Sequence, residues 1–210
     1  MRVTRKNKRG FTLIEVMLAI AIVCLICGLF AELIYATHNS YYRVYNSNDA
    51  TDYAQLYSQG LENAVLKTCE VSAAGTYTFS LQPSAPGGVP YILTRKSGAA
   101  GATADDIFQG SLAQMKNANG KEKWQIYIGN INYDTDGVLS YTLYFVDNYK
   151  DPGKLILKYD ASFWIPQSVS SHSGGRTIEI NTSGSSSTYS AGGTSFTYYP
   201  GGFTVKVTTT

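Results

Sequence analysis

The sequence predicts an α+β fold: one long N-terminal α-helix, its first part a membrane or filament-core segment, packed through its second part on a C-terminal antiparallel β-sheet domain. Three observations predict it. From Phe11 to Ala36 the chain is apolar apart from Glu15 and Glu32, a run of 26 residues where a bilayer-crossing helix needs roughly 20. Residues Tyr53, Leu56, Tyr57, Gly60, Leu61, Ala64 and Val65 then recur at helical spacing. From Gly75 onward the texture changes to short alternating runs punctuated by Gly, Pro, Asn and Asp.

Residues 1–10 are a distinct basic head: Arg2, Arg5, Lys6, Lys8 and Arg9 with no acid. Five of the 17 basic residues lie there, so the other 12 face 15 acids and the rest of the chain is net acidic. Such a body is not built for electrostatic capture of nucleic acid. Short positive segments stay on the cytoplasmic side, so the head predicts a single-pass chain with its C-terminal domain outside. A secretory signal peptide is the rival, but its apolar region spans only about 7–15 residues and ends at a small-residue cleavage site. Within the run, Cys24 and Cys27 have C-x-x-C spacing with no second ligand pair nearby, and read as small apolar filler. Cys69 stands alone in the body, so a disulfide-stapled domain is not expected.

The amphipathic continuation is placed at 37–70. Unbroken from Phe11 to Lys67, the helix spans about 85 Å at 1.5 Å per residue. Residues 46–52, "NSNDATD", are rich in capping and turn types and leave a bend open. Tyr35, Tyr41, Tyr42 and Tyr45 follow the apolar run, as boundary aromatics or as a packing face for neighbouring subunits.

The β-rich head is placed at 71–210. Strands are expected at 76–81, 90–95, 124–131, 139–146, 154–159, 176–181, 195–199 and 203–208. Asp136-Gly137 reads as a tight hairpin turn and Asp151-Pro152-Gly153 as another. A short helix is expected around Ile107–Met115, and 182–193 is a flexible loop or a long hairpin tip.

The question the sequence poses is Glu15, a carboxylate one turn into an apolar helix, where charge is costly without a partner. Cutting the chain between Gly10 and Phe11 creates such a partner, because the new α-amine of Phe11 is a positive charge four residues away. The pair can form within one molecule or between staggered molecules, and in the second case the two charges fix axial register, since any other stagger leaves both unpaired. Alternatively Glu15 snorkels to the headgroups and does nothing, as Glu32 is expected to do.

Gly10 followed by "FTLIEVMLAIAIV", behind a short basic leader, resembles the type IV pilin and pseudopilin family over roughly residues 5–35. The resemblance implies a leader ending at Gly10, cleavage by a prepilin peptidase and N-methylation of Phe11. It further implies pairing of Glu15 with a neighbouring subunit's N-terminus, a filament core made of the long helix, and an outward-facing β-rich domain. The chain departs from major subunits in lacking a proline in the second half of the apolar segment, where Gly28 is the one weak point. It also lacks the cysteine pair that closes the C-terminal region of many pilins, which hints at a Gram-positive host or a minor subunit.

The expected function is therefore structural: a minor-pilin-like subunit made as a membrane-anchored precursor and assembled with other pilin subunits through its helix. One alternative is a pseudopilin of a type II secretion or DNA-uptake apparatus. Another is a membrane-tethered adhesin or binding domain that does not polymerise. No enzyme and no cofactor are expected. An exported hydrolase would need His172 in a triad, and no G-x-S-x-G lies near it; His38 sits on the helix beside the tyrosines. Asp134-Thr135-Asp136-Gly137 lacks the later acid of a calcium loop. Lys116, Lys121 and Lys123 form a modest basic patch beside Trp124, a place where DNA or a surface could touch, or simply a solvated loop.

Overall fold

The computed structural model describes residues 12–71, 74–83, 91–97, 104–106, 123–148, 152–165, 168–171 and 174–209. The chain divides after Asn46 into an N-terminal unit and a C-terminal unit beginning at Ser47. A single helix, α1 (Leu13–Val71), contributes to both and is helical through 46–52 despite their turn-favouring composition. Three threonines on it donate their hydroxyls back to the carbonyl four residues earlier, including Thr51 to Ser47 (2.9 Å) and Thr68 to Ala64 (2.8 Å). This local bond satisfies polar side chains without breaking the helical ladder.

Within the C-terminal unit, α1 buries a face of Ala50, Tyr53, Ala54, Tyr57, Leu61, Val65, Thr68 and Cys69. The spacing of three and four residues puts these side chains on one stripe. Leu56 departs from the expected face, being 40% exposed. Ala50 and Ala54 are fully buried on the stripe, and Leu56 lies at its edge.

Among the described residues the strands form three antiparallel sheets. Strands β1 (Gly75–Pro83), β2 (Tyr91–Ser97), β3 (Ala104–Asp106), β7 (Ser168–Ser171), β8 (Gly174–Thr182) and β11 (Phe203–Thr209) make a six-stranded sheet in the order β3-β2-β1-β11-β8-β7. The last strand thus returns beside the first, with Phe79 directly opposite Phe203 and their rings stacked at 5.4 Å. Strands β4 (Trp124–Tyr133), β5 (Val138–Asp147) and β6 (Leu155–Trp164) form a meander. Strands β9 (Ser187–Ala191) and β10 (Thr194–Tyr198) form a hairpin.

The strand β5 organises this unit, because its core face and the Tyr144 end of its other face are both covered. Leu139, Tyr141, Leu143 and Phe145 join Trp124, Ile126 and Ile128 of β4 in the core that also holds the α1 stripe. Trp124 sits edge-on between Tyr53 of α1 (5.6 Å) and Phe145 (6.0 Å). On the opposite face Tyr144 and Val146 meet Phe196 of the hairpin, with Tyr127, Tyr189 and Tyr198 packed around them. Tyr144 and Phe196 stack at 4.0 Å. Gly129 is required here: a Cβ would press on the carbonyl oxygen of Thr197, so the hairpin backbone could not lie this close.

Tyr141 and Tyr57 are nearly sealed between helix and meander, each 2% exposed. The Tyr141 hydroxyl donates to Ser58 Oγ on α1 at 3.1 Å. Burial pushes the Tyr141 phenol up to about 12, the Ser58 bond working against it, and burial with neighbouring Tyr53 raises Tyr57 further.

The expected Asp136-Gly137 turn is present, and of the Asp151-Pro152-Gly153 turn the described part, Pro152 and Gly153, is a turn with Gly153 at φ 91°. At the β4–β5 turn, Asp134 Oδ1 accepts from the backbone N–H of Asp136 (3.0 Å) and Val138 (2.8 Å), and Gly137 has φ 82°. The carboxylate closes the turn, as an Asx turn does. Residues 182–193 resolve into the hairpin reading: β9 occupies 187–191. The helix expected at Ile107–Met115 lies outside the described residues.

Candidate assembly segment

The helix α1 begins with a reciprocal cap. Thr12 donates its backbone N–H (2.8 Å) and its hydroxyl (3.0 Å) to Glu15 Oε2, and Glu15 returns its own N–H to Thr12 Oγ1 (3.4 Å). Thr12 carbonyl oxygen also accepts from the N–H groups of Glu15 and Val16 (3.1 and 3.3 Å). This is a capping box, in which an N-terminal Thr and an acid three residues later satisfy each other's orphan donors. The signal was present as "TLIE" immediately before an apolar run, and reading Glu15 for its charge alone passes over it.

The cap bears on what Glu15 can do for a neighbour. Both described bonds end on one oxygen, while a carboxylate offers about four lone-pair sites. Capping therefore leaves Glu15 able to accept an ammonium as well. The helix-first residues also aim this carboxylate at the positive end of the helix macrodipole, where an anion is favoured.

Beyond the cap, the described part of the N-terminal unit presents exposed apolar side chains. Leu13, Ile14, Leu18, Leu25, Leu29, Phe30 and Ile34 are all exposed, and the segment is long and apolar enough to cross a membrane by length and composition. Glu15 heads a shallow apolar groove continued by Val16, Ala19, Ile20, Val23 and Cys24. A Cβ added at Gly28 would meet no described atom within 4 Å beyond its own helix backbone. Cys24 and Cys27 are exposed free thiols, and no described group of His, Cys, Asp and Glu is arranged to hold a metal. Tyr41 and Tyr45, one helical turn apart, stack at 6.3 Å on the exposed surface.

The structure brings Thr12 and Glu15 together, whereas Gly10 and Phe11 lie outside the described residues, as do His172, Lys116 and Lys121. Lys123 is not part of a free basic patch. Its ammonium pairs with Asp49 of α1 at 3.3 Å and lies 5.5 Å from the Trp124 ring centroid, tying the start of β4 to the helix.

Residues 5–31 match the model of the prokaryotic N-terminal methylation motif, the type IV pilin-type signal. No curated protein and no solved structure matches the chain. The motif supports a type IV pilin-like protein processed by prepilin peptidase, and the long helix on antiparallel sheets is a pilin-like arrangement.

Proposed function

We propose that this chain, bearing a type IV pilin-type signal, is a minor subunit of a type IV pilus-like filament, cut between Gly10 and Phe11 and N-methylated on Phe11. The observation that carries the reading is the methylation motif joined to an exposed apolar helical face in the N-terminal unit. Before assembly the bilayer covers that face, with the β-rich domain outside; in the filament the helices of other subunits cover it. Glu15 sits at the head of the groove, where the freed α-amine of an adjacent Phe11 would be its counter-charge. Two opposite charges inside an apolar bundle specify one stagger, because a slipped neighbour leaves each buried alone. The lone Cys69 and the proline-free apolar segment support a minor rather than a major subunit. The role is structural, and no catalysis is assigned to it.

The mass of the mature N-terminal peptide tests this reading. A peptide beginning at methylated Phe11 supports it. A protein that keeps residues 1–10, or is cut after residue 36, refutes processing and leaves Glu15 without its counter-charge.

A second reading is favoured by the capping box: a tethered binding domain that does not polymerise, in which Glu15 serves only to start the helix. Shearing of surface filaments followed by immunoblotting separates the two, since a tethered domain stays with the cells.

A further inference from the structure

The face of the β4-β5-β6 meander that carries Tyr144 is only half covered by the β9–β10 hairpin. On the other half lies a cleft of about 340 Å³ lined by Asn130, Ser140, Thr142, Asp160 and Ser162 with the strand backbone at Tyr141 and Ala161. Its volume is at the lower end of the roughly 300–1,000 Å³ typical of small-molecule sites.

The polar groups in it are held in a fixed chain. Asn130 Nδ2 donates to Tyr144 Oη (2.8 Å) and to Thr142 Oγ1 (3.1 Å), and Thr142 Oγ1 donates to Asp160 Oδ1 (2.6 Å). Lys158 pairs with Asp160 Oδ2 at 3.1 Å. The Thr142 bond, then Lys158, holds the Asp160 carboxyl below its ordinary range, so it is an acceptor with lone pairs to spare. Asn130 reaches this position from a strained backbone. It is the one described non-glycine residue with positive φ (49°), at a bulge where the β4–β5 register shifts between Gly129 and Asn132. Bulges re-aim side chains, and Asn tolerates the left-handed conformation better than most residues.

An exposed tryptophan ends the same face. Strand alternation places Asp160, Ser162 and Trp164 on one side of β6, spanning about 13 Å at roughly 3.3 Å per residue. They lie opposite Thr142, Ser140 and Val138 of β5. Trp164 is 62% exposed, yet its indole N–H donates to the Asp136 carbonyl across the turn at 3.1 Å, which fixes the ring. Solvent has no need of an indole held in place.

The geometry points to a binding site for a neutral saccharide of two or more rings, one ring lying on Trp164 and the next hydrogen-bonded along Ser162, Ser140 and Asp160. Each competing ligand class conflicts with the lining. An anion, nucleic acid included, would face the Asp160 carboxylate, with Lys158 already engaged. A bare cation finds a single acid where a hard-metal site needs six or more oxygens. An apolar ligand would take water from the spare lone pairs of Asp160 and give no hydrogen bond in return. A neutral polyol can donate its hydroxyls to the spare lone pairs of Asp160 and to Ser140 Oγ, whose own proton goes to the Asn132 carbonyl (3.3 Å), and its C–H faces match the indole.

The test uses the full-length protein in detergent. Lactose, cellobiose and chitobiose are titrated against tryptophan fluorescence, alongside an array of neutral and anionic oligosaccharides. Trp124 is fully buried, so Trp164 reports the binding. At least one neutral sugar is expected to shift the emission and protect Trp164 from acrylamide quenching. Asp160→Asn should weaken it about tenfold or more, equivalent to the loss of one charge-assisted hydrogen bond. Trp164→Ala should abolish binding on the array, whereas Trp164→Phe, which keeps a stacking ring, should retain part of it. Far-UV circular dichroism of each variant confirms the fold. Silence of every neutral sugar overturns the proposal. So does binding that survives both Asp160→Asn and Trp164→Ala, or retention of anionic glycans or a single-stranded oligonucleotide alone.

Discussion

Alkali should loosen the seam between α1 and the meander, and Tyr141 allows the effect to be measured one proton at a time. A phenol whose pKa rises on folding keeps its proton in the native state while the unfolded chain loses it. Its contribution to stability is therefore complete below pH 10, the unfolded value, and is lost as pH rises through the folded value near 12. Over that window each such tyrosine lowers the unfolding free energy by about 1.4 kcal/mol per pH unit, or roughly 3 kcal/mol in all for a shift of this size. Burial displaces the phenols of Tyr57, Tyr127 and Tyr133 in the same direction. Their titrations should add, so the wild type should lose stability more steeply than one group allows. Tyr141→Phe removes one of these titrations together with the bond to Ser58. The variant should be less stable near neutrality by about 1 kcal/mol, the usual worth of one hydrogen bond, yet lose stability more slowly above about pH 10. Urea unfolding in detergent, followed by near-UV circular dichroism at a series of alkaline pH values, gives both quantities. Equal pH slopes for wild type and Tyr141→Phe would refute the argument, since Tyr141 would then titrate as freely when folded as when unfolded.

Two further outcomes are expected. Glu15→Gln preserves a capping-box residue and removes the charge, Thr12→Ala removes the cap and keeps the charge, and Glu15→Ala removes both. If charge sets register, filament incorporation measured by shearing and blotting fails in Glu15→Gln and Glu15→Ala and survives in Thr12→Ala; the reverse order assigns Glu15 to capping alone. Gly129→Ala should cost about 1–3 kcal/mol, as overpacking does, by pushing the β9–β10 hairpin off the meander; unchanged thermal unfolding together with unchanged near-UV aromatic circular dichroism would contradict the close approach.

The parts of the fold legible in the sequence are those where one residue pattern decides the structure. Strands β4 and β5 alternate large apolar and aromatic residues, and Asp134 with Gly137 marks their turn. The strand β9 was not legible as a strand because "STYSA" is small and polar; its order comes from pairing with β10 and from Tyr189 packing on Tyr127 at 5.2 Å. The strands β3 and β7 are three and four residues long and lie at the two edges of their sheet, where a neighbour's backbone supplies the order. Leu56 misled because helical spacing alone admits several phases, and the choice among them belongs to the sheet. Of the candidate site, Glu15 was visible as an anomaly of charge, and its bond with Thr12 was visible as a spacing. The cleft beside Trp164 was not: Asn130, Thr142 and Asp160 come from three strands, and only the register at a bulge aligns them.

The uncovered helix also constrains the life of the molecule. A surface so rich in leucine and isoleucine has no tolerable waiting state in the aqueous phase. On the proposed reading, whatever receives it has to be in place before the lipid lets go, so gain and loss of a subunit become a hand-over between two greasy hosts. A copy that comes loose should sink back into the envelope and be available again, not drift into the medium.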